Sequence, residues 1–214
     1  YFKFVESRIE KELYRRLKPN SYGMVLDLNN LPEEDLLPFI LIFWLGDLGF
    51  SNSDIEDMTR CLLEKKSGAR FFANGALAVS DREKVIYLDR EVPSEALEFP
   101  MGEGRYLYLD SIFTVRRSED LPEKGEIKIN DKSGQAIIKV RARRDGDRIR
   151  SLGMNGKSQK LQDIYTNARL NYLEKLLQPV VLLNETIIWL PGLKKSVETH
   201  GDKGSGWIIR CEKI

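Results

Sequence analysis

The hydrophobic period of this chain changes partway along it. Before about residue 70, apolar residues recur at helical spacing. From Arg105 the period drops toward two, in RYLYLDSIFTVRR and then GEIKINDKSGQAIIKVRARR. Helical segments first and strands afterwards predict an α+β chain: a small helical unit followed by a unit with a mixed sheet. At 214 residues the chain is long enough to bury a core as one domain or as two. We place the first unit at residues 1–92, a Pro- and Gly-bearing linker at 93–104, and the second unit at 105–214.

The front unit reads as three helices. FVESRIEKELYRRL puts Val5, Ile9, Leu13 and Leu17 on one stripe, and Pro19 and Gly23 end it. In the next segment Asn30 is an N-cap candidate, with Pro32, Glu33 and Glu34 in the first turn. Leu36, Ile40, Phe43 and Trp44 are its core positions, and Pro38 is a point of interruption. SNSDIEDMTRCLLEKKSG starts at a Ser or Asn cap, buries Ile55, Met58, Leu62 and Leu63, and stops at Gly68. A hairpin follows, turning at Asn74-Gly75 and leading through Asp81 into VIYLD. The second unit should hold six or seven strands, with turns at 120–125 and 131–134 and short helices at 158–167 and 169–177. Strands at 179–183 and 186–190 turn at Asn184-Glu185, and a last strand covers 206–212.

Net charge is +1, but its distribution is uneven. From Gly134 onward there are 15 Lys and Arg against 8 Asp and Glu, a net +7; the residues before it carry 19 against 25, a net −6. The basic charge is densest in RRDGDRIRSLGMNGKSQK. Arg143 and Arg144 leave a strand together, and Asp145-Gly146 makes a turn. Arg148 and Arg150 flank Ile149, so in extended chain both point to one side. Asp147 is placed to hold one guanidinium by a bidentate contact. Lys157 and Lys160 follow Gly153 and Gly156, where a backbone with little bulk can approach a ligand. Ser158 is a cap candidate for the helix beginning near Lys160, with Arg169 beyond it and Lys194 and Lys195 extending the basic face. The pattern suits a phosphate backbone, and RNA better than a small phosphate, because it is broad rather than a single cradle. Its competitor is a charged loop satisfied by Asp145, Asp147 and Asp163. Tyr165 and Tyr172 are candidates to stack on a base, although half-buried rim positions are the commoner use. Trp189 reads as core.

Catalytic, metal-binding and cofactor-binding residues are not expected. His200 lies in a polar loop without a Cys or His partner. GDKGSG and GMNGKS lack the spacing of a phosphate loop. The carboxylates Glu33, Glu34, Asp35, Asp54, Glu56 and Asp57 cluster in helix first turns. Cys61 and Cys211 form no disulfide framework, which points to a reducing, cytoplasmic setting. PFILIFWLGDLGF falls short of the roughly 20 residues of a membrane span. No signal peptide is evident, and a first residue of Tyr rather than Met is what a fragment would show.

The motifs of the second unit resemble the C-terminal part of bacterial tRNA(Ile)-lysidine synthases. The family pattern R-x-x-G-D-R-x-x-P-x-G-M falls on Arg143, Gly146, Asp147, Arg148, Gly153 and Met154, with Ser151 where Pro is usual. K-L-x-D-x-[FY] falls on Lys160, Leu161, Asp163 and Tyr165. An apolar strand beginning at Pro179 and W-x-x-G-L at Trp189, Gly192 and Leu193 complete it. A basic segment usual before Pro179 is replaced by NYLEKLLQP. PFILIFWLGDLGF is similar to a helix of the family's middle domain. The resemblance implies a helical substrate-recognition-like domain followed by a C-terminal domain of the PheT/TilS-like type. It also implies a cytoplasmic ligase that uses ATP and Mg2+ to attach lysine to cytidine 34 of a minor isoleucine tRNA. That chemistry belongs to an N-terminal domain with an S-G-G-x-D-S motif, which this sequence does not contain. The implied partners are isoleucine tRNA, gripped at its acceptor region through Arg143, Arg144, Arg148, Arg150, Lys157, Lys160, Arg169, Lys194 and Lys195, and the catalytic domain, with a homodimer as a further option and no membrane. ATP and Mg2+ would bind elsewhere than in this chain, which alone should not turn over ATP. The alternatives are a stand-alone RNA-binding or scaffolding module, and a small-molecule enzyme with a pocket between the two units.

Overall fold

The computed structural model describes residues 2–130, 136–151, 157–199 and 204–214. The chain divides into two compact units, Tyr1–Val92 and Pro93–Ile214. The expected turn at 131–134, Gly153, Met154, Gly156 and His200 lie outside the described residues.

The first unit is itself α+β rather than a helical bundle closed by one hairpin. Helix α1 (Phe2–Arg16) runs into a hairpin of β1 (Leu17–Asn20) and β2 (Gly23–Asp27). Then come α2 (Leu37–Leu45), α3 (Asn52–Leu63), β3 (Arg70–Ala73), β4 (Ala76–Ser80) and β5 (Lys84–Leu88). The five strands form one sheet in the order β1-β2-β5-β4-β3, antiparallel throughout. Helix α1 already ends at Arg16, so Pro19 and Gly23, read as helix terminators, do not end it; they shape the hairpin. Pro19 sits on the edge strand, where its missing N–H is tolerated. Asn20 closes the turn by accepting the Tyr22 amide at 2.8 Å. Gly23 is required twice over. Its φ is +145°, and a Cβ there would stand 2.3 Å from the Tyr87 carbonyl oxygen of β5.

Asn30 is not a cap. It has φ 55°, and its carbonyl accepts from the Arg16 guanidinium at 2.9 Å. Arg16 is buried, and also donates to the carbonyls of Asp27 and Asn29, tying α1 to the loop before α2. Helix α2 starts only at Leu37, after a 3-10 turn over Glu34–Leu36. Pro38 therefore falls in its first turn, where no N–H is needed, and interrupts nothing. Helix α3 begins as expected: Ser51 and Asp54 form a reciprocal capping box. Ile55, Met58 and Leu62 pack into the core with Ile40, Leu41 and Trp44, whereas Leu63 is exposed and Phe43 half-buried.

The second unit contains β6 (Leu97–Pro100), β7 (Gly104–Tyr108), β8 (Ser111–Ser118), β9 (Glu126–Ile129), β10 (Ile137–Arg141), β11 (Arg148–Arg150) and β12 (Ser158–Lys160). Two short helices, α4 (Leu161–Asn167) and α5 (Tyr172–Leu177), precede β13 (Val180–Leu183), β14 (Thr186–Leu190), β15 (Lys194–Lys195) and β16 (Gly206–Lys213). The stretch expected to be linker therefore holds a strand. β6 pairs with β10: Leu97 and Phe99 alternate with the exposed Glu98 and Pro100, and Phe99 enters the core. More strands form than the six or seven expected, since turns such as 109–110 and the ribbon β11–β12 are too short to announce themselves. The sheet is not mixed. Among the described residues every pairing is antiparallel, in the orders β15-β14-β13-β10-β6 and β7-β8-β16-β9.

Those two sheets share a core. Ile138, Val140, Val181 and Trp189 come from one; Phe113, Val115, Ile127 and Ile209 come from the other. Phe113 meets Trp189 edge-on, at 6.4 Å and 88°. On the opposite side of β13 and β14, Val180, Leu182, Ile187 and Leu190 pack against Ile149, Leu161, Ile164 and Tyr165. Strands covered on both faces explain the unbroken apolar runs VVLL and IIWL. This second layer is what carries the ribbon.

Candidate nucleic-acid interface

The basic segment folds as a two-stranded ribbon. β11 and β12 pair in the register Arg148↔Lys160, Ile149↔Gln159 and Arg150↔Ser158. Ile149 is fully buried against α4 while Arg148 and Arg150 are exposed, so the alternation read from RIR is what the strand displays. Directly opposed residues on antiparallel strands share a face. Arg148, Arg150 and Lys160 therefore stand together on the solvent side, and Lys157, just before β12, is exposed. Cross-strand like charges such as Arg148 and Lys160 repel each other. Arg148 turns aside to meet Ser158, its Nε 2.8 Å from the hydroxyl and Nη2 2.9 Å from the carbonyl oxygen. Ser158 is thus occupied by Arg148 and does not cap α4; the N-cap is Lys160, with no side-chain cap bond.

Asp147 does hold a guanidinium in bidentate fashion, and the partner is Arg141 at the end of β10. The distances are 2.7 and 2.9 Å, with both side chains nearly buried. Asp147 also accepts the Arg144 amide at 2.7 Å, and its carbonyl accepts the Leu161 amide at 3.0 Å. The carboxylate thereby fixes the turn on the sheet, and the main-chain carbonyl of the same residue ties the start of α4 to it. Burial by itself would raise the Asp147 carboxyl, but the Arg141 guanidinium and the Arg144 amide outweigh it and hold the group below the usual carboxylate range. Arg141 was not singled out in the sequence. Its only signal was its place at the end of the apolar strand IIKVR, where a long side chain can fold back on the turn that follows.

The remaining candidates are dispersed. Arg143 is paired to the exposed Asp145 at 3.0 Å. Arg144 is exposed at the turn. Arg169 follows the C-terminal end of α4 with φ 55°, about 10 Å of helix away from Lys160. Lys194 and Lys195 belong to β15, on the edge of the five-stranded sheet rather than on the ribbon. The Lys195 amine donates to the Glu126 carbonyl. Tyr165 is fully buried, so it cannot stack on a base, and burial pushes its phenol well above the ordinary range. Trp189 is core, as expected. Among the described residues no group of three His, Cys, Asp or Glu is arranged to hold a metal, and no helix is long and apolar enough to cross a membrane.

Residues 138–211 match the family model "TilS substrate C-terminal domain". Over that stretch the chain is similar to the C-terminal domain of TilS proteins. The matched stretch runs from β10 through the ribbon to β16, and so contains every basic residue discussed above. The chain also matches bacterial tRNA(Ile)-lysidine synthases. That of Bacillus subtilis is 36% identical over 90 residues, 40% of this chain and 19% of the relative. That of Caldanaerobacter subterraneus subsp. tengcongensis is 31% identical over 216 residues, 97% of this chain and 41% of the relative. The chain thus spans less than half the length of these relatives. A crystal structure of a TilS C-terminal domain superimposes with a TM-score of 0.48 at 22% identity, covering 56% of this chain and 98% of that one.

Proposed function

We propose that this chain is the tRNA-handling portion of a cytoplasmic tRNA(Ile)-lysidine synthase, and that its TilS C-terminal domain grips the acceptor region of an isoleucine tRNA through the β11–β12 ribbon. The observation that carries this reading is the register Arg148↔Lys160, which sets Arg148, Arg150 and Lys160 on one exposed face. An array of like charges on so small a ribbon is unfavourable alone and is relieved by a polyanion. Arg150 there carries paired N–H groups suited to phosphate oxygens, while Arg148, whose Nε and Nη2 bond Ser158, adds its charge. Such contacts position an RNA without reading its sequence. Lysine attachment with ATP and Mg2+ is assigned to the part of the relatives that this chain does not span. The sequence holds no S-G-G-x-D-S motif, and the chain alone should not release pyrophosphate from ATP.

The test is a binding titration of this chain against an isoleucine tRNA with a CAU anticodon, intact and without its acceptor stem, at two salt concentrations. Salt-sensitive binding that weakens when the stem is removed supports the reading. Absence of binding at low salt refutes it. Equal binding to any structured RNA would favour a stand-alone RNA-binding module.

A further inference from the structure

Beside the ribbon, and separate from its exposed face, lies a cleft of about 430 Å3, within the size range of ligand sites. Leu193 gives it an apolar wall over the buried Trp189, and Lys124, Lys194 and Lys195 also line it. Three observations mark it as a built site. First, the Ser151 hydroxyl, at the cleft wall, is buried and has no hydrogen-bond partner, a condition that costs free energy unless a ligand relieves it. Second, Gly125 and Gly192 border the cleft with φ of +84° and +75°. A Cβ at either would meet nothing within 4 Å, so a ligand can approach bare backbone there. Third, the lysines that line it come from separate parts of the chain. Lys124 comes from the turn before β9, whereas Lys194 and Lys195 come from β15. Lys195 is fixed by its bond to the Glu126 carbonyl.

Mainly apolar walls with lysines among them suit a flat, apolar ring attached to an anion. Position narrows the choice. Ser151 directly follows Arg150 and bridges to Ser196, so the cleft opens where the row of ribbon cations ends. We propose that this cleft receives one unpaired nucleotide of the bound RNA, its base against Leu193, its phosphate at Lys124 and Lys194, and a polar edge on the Ser151 hydroxyl. The source of the ligand as RNA rests on the function proposed above; the cleft itself does not.

The experiment titrates a single-stranded RNA tetranucleotide, AMP, and a blunt RNA hairpin into this chain and follows amide chemical shifts. The tetranucleotide should shift Gly125, Ser151, Gly192 and Lys194, with an affinity about tenfold lower in Leu193→Trp, which fills the cleft, and in Lys194→Glu, a surface change that leaves the core alone. The blunt hairpin should shift the ribbon and leave the cleft unchanged. No shift at the cleft with the tetranucleotide overturns the proposal, whatever the ribbon does. So does unchanged affinity in both variants. AMP binding as tightly as the tetranucleotide overturns the assignment to RNA. A hairpin that fails to shift the ribbon, with the cleft still responding, refutes the ribbon reading and leaves this one standing.

Discussion

Replacing Arg150 by Gln separates a phosphate-binding ribbon from a merely charged one. Arg150 is exposed on β11, opposite Ser158, with Arg148 and Lys160 on the same face and the exposed Lys157 just before β12. If each of these four side chains neutralises one phosphate, affinity falls with salt with a log–log slope of about −3.6, at roughly 0.9 per contact. That is about a 150-fold loss between 50 and 200 mM salt. Arg150→Gln should reduce the slope to about −2.7, so the same change in salt costs only about 40-fold. Ile149 buries the ribbon and Arg150 does not, so the fold should be unaffected. The assay is fluorescence anisotropy with an acceptor-stem hairpin at four or more salt concentrations, with Arg117→Gln on β8 as the cationic control. An unchanged slope for Arg150→Gln, or an equal drop for Arg117→Gln, would refute the reasoning.

Other expectations concern the scaffold. Asp147→Ala strands the nearly buried Arg141 guanidinium and should destabilise the second unit by about 3 kcal/mol in urea unfolding. The Asp147 carboxyl is held below its ordinary range, so the stability it contributes is fully present above the usual carboxylate pKa and is lost as pH falls through its lowered value. Asp147→Asn should flatten that acid limb, and an acid limb of identical steepness in the variant would contradict the assignment. Lys128 is fully buried, and its amine donates to the carbonyls of Glu119, Asp120 and Gly204 at 3.2, 2.7 and 2.6 Å. Lys128→Met leaves these acceptors unpartnered and should cost about 2 kcal/mol or more, read as a lowered urea midpoint. Gly23→Ala forces a Cβ against the Tyr87 carbonyl at a positive φ, and should lower the melting temperature of the first unit while leaving that of the second unchanged.

The residues that could be read in advance are those whose structure is local. The Ser51–Asp54 capping box, the Asn74-Gly75 turn and the alternation of Arg148, Ile149 and Arg150 each depend on neighbours within a few positions. In each case the side chain's partner or its opposite face is written beside it. The motif from Arg143 to Tyr165 was equally legible, and it drew attention to the ribbon. What the linear chain withheld depends on partners far away. Pro19 and Gly23 look like terminators until β5 arrives to pair with β2. Residues 97–100 look like linker until β10 offers an open edge. Asp147 visibly wanted a guanidinium, but several arginines surround it. The partner is Arg141, whose side chain is nearly buried beside Asp147, whereas Arg144, Arg148 and Arg150 are exposed. Sequence thus determined which residues are charged, capped or alternating. Only the tertiary structure decided that Arg148, Arg150 and Lys160 share a face while Lys194 and Lys195 stand at a separate cleft, because strand register and sheet order are set by long-range pairing that no local pattern contains.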